Sequence, residues 1–269
     1  MDIYEETTLF YQSVKAKKRV IGKSLFGRNI YAIKLGDGAP VGIAQYAMHG
    51  REYITAKLAF AHYYFGLQKG SCWLIPLANP DGALLSQTGI KSAPKSERAF
   101  LREINKGDNF SLWKANGRGV DLNVNFDADW GKGEKNVFYP SSENYVGEHA
   151  FSELETQALQ KFTEEIEPDY TVSFHTKGEE IYWGYDNSTH TCPRHFAIGK
   201  AISEETGYRL LIAKGSAGGY KDWCVLKYGI PAYTIEVGSD SLKHPLGDDA
   251  LDGIIKKCKR IVYKISECI

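Results

Sequence analysis

Apolar runs of five to eight residues recur along the chain and are separated by polar or turn-forming segments. Those that read as strands are "NIYAIKL" (29–35), "VGIAQYAM" (41–48), "CWLIPLA" (72–78), "YTVSF" (170–174), "RLLIA" (209–213) and "AYTIEV" (232–237). Several are continuous rather than alternating, which suits strands covered on both faces. Between them the apolar spacing changes to three and four. "TAKLAFAHYYFGL", "SELETQALQKFTEEI" and "RHFAIGKAISEET" read as helices, and so does a terminal segment whose stripe is Leu251, Ile254, Ile255, Cys258, Ile261, Val262 and Ile265. Strands alternating with helices predict an α/β fold with a mixed, largely parallel central sheet flanked by helices. Residues 83–150, rich in Gly, Asn, Ser and charge, read as long irregular loops of the functional kind.

Composition narrows this picture. A chain of 269 residues, 43% hydrophobic, can bury a full core, and no repeat or linker divides it, so a single domain over 1–269 is expected. Lys plus Arg equals Asp plus Glu at 33 each. That balance gives no basic excess for nucleic acid or an anionic membrane, and points to small or neutral partners. "MDIYEETTLFYQSVKAKKRV" has no apolar core of signal-peptide length. Five cysteines without a C-x-x-C pair argue for reduced thiols in a cytoplasm.

Ligands of open α/β sheets bind beyond the carboxyl ends of the strands, and four polar features stand there. "AMHGRE" brings His49, Arg51 and Glu52 to the end of one strand, "NPDG" (79–82) follows another, His175 follows "YTVSF", and Glu236 ends "AYTI". Alone, H-x-x-E is weak. With a distant His175 it supplies two imidazoles and a carboxylate, the donor set of a catalytic zinc site with a position left for water. Zinc lowers the pKa of such a water from about 15.7 to roughly 7. Glu236 is then the proton acceptor, Arg51 the cation for the developing oxyanion, and Asp121 of "GVDLN" the acceptor for the free nitrogen of a ligand histidine.

Taken in order from about Gly22 onwards, "HGRE", "NPDG", "GVDLN", "SFH" and "TIEVG" resemble the zinc carboxypeptidase family. The resemblance implies a mixed eight-stranded sheet and one zinc on His49, Glu52 and His175. It also implies Glu236 as catalytic glutamate, Arg51 as oxyanion arginine and Asn123 as a substrate contact. "WKANGRGVDLN" (113–123), "FSELETQAL" (151–159) and "FHTKGEEIYW" (174–183) are most similar to the bacterial branch acting on cell-wall peptides. That similarity implies a murein peptide substrate cut at its γ-D-glutamyl-diaminopimelate bond. An ordinary metallocarboxypeptidase, a small-molecule zinc deacylase and a non-catalytic binding module are the competing readings.

Two positions depart from the family. Val124 stands where an arginine commonly grips a terminal carboxylate, and the tyrosine that closes over substrate falls near Lys214, with Tyr220 out of place. Arg118 is the nearest other cation for a substrate carboxylate. Elsewhere His62 reads as a packed histidine, and His149, His190, His195 and His244 as surface residues. Glu179 and Glu180 either read a cationic group or face water. "KGSAGGY" is a turn before it is an anion cradle, and "KSAPKSERAFLREINKGD" a solvated loop.

Overall fold

In the computed structural model, which describes residues 1–185 and 192–269, the apolar runs assemble into one eight-stranded sheet. The strands are β1 (Lys18–Lys23), β2 (Asn29–Gly36), β3 (Val41–Tyr46), β4 (Ser71–Ile75), β5 (Tyr170–Thr176), β6 (Glu180–Trp183), β7 (Arg209–Leu211) and β8 (Ala232–Val237). Their order across the sheet is β1-β2-β4-β3-β5-β8-β6-β7. The central block β4-β3-β5-β8 is parallel, as is β6-β7, whereas β1-β2, β2-β4 and β6-β8 are antiparallel. The parallel block is where the continuous apolar runs lie. Two strands, β1 and β6, add to the six the apolar runs mark.

Alternation along the central strands builds a core on each face. Tyr170, Val172 and Phe174 of β5 pack with Leu58, Ile198, Ile202, Ile254 and Ile265, which come from helices α2 (Thr55–Phe65), α6 (Pro193–Thr206), α8 (Leu251–Cys258) and α9 (Ile261–Cys268). Ile43 and Trp73 face the other way. They meet Ala158, Leu159 and Phe162 of α5 (Leu154–Ile166), and Trp223 and Val225 of α7 (Tyr220–Tyr228). The expected terminal helix is two helices, because Arg260 interrupts it, yet the stripe crosses the break and Ile254, Cys258, Ile261, Val262 and Ile265 are all buried in one cluster.

Segment 83–150 is less irregular than its composition implies. It carries most of α3 (Pro80–Thr88) and all of α4 (Arg98–Asn105), and α1 (Ile3–Ser13) precedes the sheet under an Asp2/Glu5 capping box. No helix among the described residues is long and apolar enough to cross a membrane.

Candidate active site

The carboxyl ends of β3, β5 and β8 lie side by side, and each delivers one polar residue. Beyond β3 the chain turns at Ala47, whose φ of 50° is in the left-handed region. Thr55 Oγ1 accepts its N–H at 2.8 Å and the Ala47 carbonyl accepts from Asn79 N at 3.1 Å, which holds the turn closed. Gly50 then passes so near Gly82 O and Trp113 O that a Cβ would stand 2.4 and 2.8 Å from them. No other residue fits between His49 and Arg51 there. "NPDG" is the brace for this turn rather than part of the chemistry. Asn79 caps α3 through Gly82 N and donates to Met48 O and Ala115 O, while Asp81 is buried against Arg28, Ser24 and Phe26 N.

His49, Glu52 and His175 converge. Their ligand atoms all lie within 4.8 Å of one another, and all three residues are buried. Glu52 spans both imidazoles, with Oε1 2.9 Å from His49 Nδ1 and Oε2 2.9 Å from His175 Nδ1, and the two Nδ1 atoms are 3.1 Å apart. Burial alone raises a carboxyl, but here the two histidines outweigh it and hold Glu52 well below the usual carboxylate range. His49 is raised: burial works against its charge, and Glu52, helped by Asp121, prevails. Two imidazole nitrogens and a carboxylate aimed at one point form a donor set that fits a single zinc ion.

Asp121 stands behind this group, fully buried, with Oδ1 3.2 Å from His49 Nε2. Its other oxygen is 2.7 Å from Lys114 Nζ, and it accepts backbone N–H from Asn123 and Asn144. Burial again opposes ionisation, and the Lys114 and His49 charges overcome it, so Asp121 stays well below its ordinary value. His175 Nε2 is buried with no hydrogen-bond partner among the described residues.

Glu236 is the register neighbour of His175 across the β5-β8 pair. Burial pushes its carboxyl up to about 7, Glu52 and Glu180 add to this, and His175 and Lys114 pull against it. It lines a cavity of about 460 Å³ together with Asn123, Tyr182, Lys214, Lys221 and Asp222. An adjoining cavity of about 260 Å³ shares Asn123 and Lys214 and is lined also by Lys114 and Val124.

Other expectations are corrected. Arg118 does not line either cavity: the turn through Gly119 (φ 75°) carries it to a separate groove with Phe26, Pro94 and Phe100, half-exposed and 3.7 Å from Glu153. Glu179 and Glu180 are paired within the fold, to Lys257 and to Arg209 and Tyr182 respectively. His195 is buried instead of exposed, and His244 bonds Thr176 through Nε2; His190 lies outside the described residues. His62 is packed as expected, between Tyr46 OH and Cys258 O. Tyr220 is buried, its hydroxyl on Thr163. In "KGSAGGY" Gly218 (φ 79°) lies so close to Val124 that a Cβ would meet its carbonyl at 2.7 Å, so this glycine docks the segment onto the site loop.

Arg51 bonds Leu112 O at 3.4 Å and Glu143 at 3.3 Å, and its Nε is buried and unpartnered among the described residues. The residue that reasoning from sequence missed is Lys114. Its ammonium, mostly buried, acts electrostatically on both Glu52 and Glu236. It stands inside the "WKANGRGVDLN" motif, five residues before a glycine and seven before Asp121, and that run was its only signal.

Comparison with known proteins agrees with this geometry. A family model described as zinc carboxypeptidase matches residues 11–245. A gamma-D-glutamyl-L-diamino acid endopeptidase of Lysinibacillus sphaericus is 29% identical over 247 residues, covering 85% of this chain but 62% of its own length. Murein peptide amidase A of Escherichia coli is 32% identical over 120 residues, covering 41% of this chain and 46% of the amidase. The crystal structure of murein-tripeptide amidase from Escherichia coli O157 superposes with a TM-score of 0.66 at 20% identity, over 94% of this chain and 95% of that one. Matched over most of its length, and with two imidazoles and a carboxylate gathered at its strand ends, this chain belongs to the zinc carboxypeptidase family.

Proposed function

We propose that this chain is a zinc-dependent peptidase that cuts the bond between γ-D-glutamate and a diamino acid in murein peptides. The observation that carries the reading is the buried convergence of His49, Glu52 and His175 beside Glu236 at the mouth of a cavity. The names of the Lysinibacillus and Escherichia relatives supply the substrate class. A cytoplasmic site of action belongs to the same reading, supported by five cysteines that are all free.

His49, Glu52 and His175 would hold the zinc, which when bound supplies Lewis acidity and a more acidic water. Asp121 fixes the His49 ring from behind and is itself fixed by Lys114. Glu236, poised near neutrality by burial, takes the proton of the attacking water and returns it to the departing amine. Arg51 would place positive charge where the carbonyl oxygen becomes negative. Asn123, its Oδ1 already accepting from Tyr220 N, presents its amide to the substrate from the cavity wall.

The test is release of diaminopimelate from L-Ala-γ-D-Glu-meso-diaminopimelate by zinc-loaded protein, by chelator-stripped protein and by His175→Ala. Release by the first alone, with zinc lost from His175→Ala, is the expected result. Equal zinc in wild type and variant would remove the ligand assignment.

A further inference from the structure

One layer inward from the metal ligands lies a group of polar atoms that the mechanism does not use. Alternation puts Ser173 and His175 on one face of β5, and the register of β3 against β5 sets Gln45 beside Ser173 on that same face. All three are buried, Gln45 at 0% exposure and Ser173 and His175 at 1% each. Both ends of the Gln45 amide, Ser173 Oγ and His175 Nε2 have no hydrogen-bond partner among the described residues. A glutamine buried without partners is destabilising, whereas an apolar side chain of its length would pack there beside Ile75, its register neighbour on β4, without that penalty.

The four atoms are complementary. With Nδ1 of His175 turned to Glu52 and the ligand point, the ring proton belongs on Nε2, which then faces away from the metal as a donor. The Gln45 amide offers an acceptor and a donor group, and the Ser173 hydroxyl serves as either. None of them bonds another directly, and a water in a protein interior typically makes about three hydrogen bonds to groups of this kind.

We propose that one ordered water, held by Gln45 and Ser173, accepts the Nε2 proton of His175 and fixes the ring with Nδ1 towards the metal, which makes Gln45 a positioning residue of the site. The inference rests on the zinc-ligand reading above. It gives each ligand histidine its own support, the Asp121 carboxylate for His49 and a neutral relay for His175. A neutral relay adds no further negative charge beside Glu52 and Glu236, the register neighbour of His175.

Two measurements test it. One is a crystal structure of the zinc-loaded protein at a resolution that shows waters, which is expected to place one water within hydrogen-bond distance of His175 Nε2, Ser173 Oγ and the Gln45 amide. The other is zinc affinity by chelator competition for wild type and Gln45→Met, whose side chain is of similar length and has no amide. Gln45→Met should bind zinc about 10- to 100-fold more weakly, the usual effect of losing an outer partner of a ligand histidine. The melting temperature of the metal-free proteins is the control: a glutamine that merely packs would shift it and leave the zinc affinity of folded chains unchanged. A dry interior behind His175, or equal zinc affinity in the two proteins, overturns the inference and leaves the ligand assignment standing. Wild type that binds no zinc overturns both. Where Gln45→Met does not fold, Ser173→Ala, which removes another partner of the same water, replaces it in the comparison with the same outcomes.

Discussion

At the scale of single residues, the site works by opposing burial with charge. Glu52 and Asp121 are buried carboxylates kept ionised by the cations around them, whereas Glu236, on the next strand, has too little compensation and rises to about 7. In the function proposed above, that split separates a ligand from a base. Glu236 must be ionised to accept a proton, so kcat/KM should rise with pH through its pKa. Burial, which pushes that carboxyl up to about 7, sets where the acid limb of the profile falls. Glu236→Gln keeps the shape and loses the acceptor. Its kcat should fall by about 10²- to 10⁴-fold with zinc content unchanged. A variant with near-normal kcat, or with the acid limb intact, would take Glu236 out of the mechanism. His49, His175 and Glu236 were legible because strand ends announce themselves: each stands at the end of an apolar run. Lys114 was not, because a lysine in a Gly- and Asn-rich loop looks solvated until Asp121 is seen to bury it.

At the scale of elements, the scaffold behind the site is a buried polar cluster that joins the starts of α3 and α5. Glu155 accepts from Leu25 N and Asn116 Nδ2, and Asn116 also donates to Glu153. Burial, reinforced by Asp81 and Glu153, pushes Glu155 from 4.5 up to about 7. The folded state therefore binds a proton that the unfolded state releases near 4.5. The stability this gives is complete below that pH and is lost as pH rises through about 7. Glu155→Gln should stabilise the protein above pH 7, by up to about 3 kcal/mol, with the gain shrinking towards pH 4.5. Urea melts of both proteins between pH 4.5 and 8.5 check it, and parallel pH curves would contradict it. The same scale explains which elements the sequence hides. β1, with Lys18, Arg19 and Lys23, is a half-exposed edge strand whose apolar count is low, and β6 is four residues long and half polar. The central parallel strands carry long buried runs and are easy to find; the edge strand β1 and the short β6, held between β8 and β7, do not.

At the scale of the whole molecule, the parallel block β4-β3-β5-β8 sets the strand ends in one row, and the braces from α3 and the 113–124 loop turn that row into a site. Order along the chain gave no hint that Arg118 faces a different groove from Asn123, five residues on, because the direction of a side chain after a glycine turn is a property of the fold. The chain also spans only 62% of the length of its Lysinibacillus relative. The claim that it cuts a γ-D-glutamyl bond is tested most directly by the masses of the products formed when zinc-loaded protein acts on L-Ala-γ-D-Glu-meso-diaminopimelate. Masses of free diaminopimelate and L-Ala-D-Glu are expected; intact tripeptide, or alanine with the remaining dipeptide, would contradict the account.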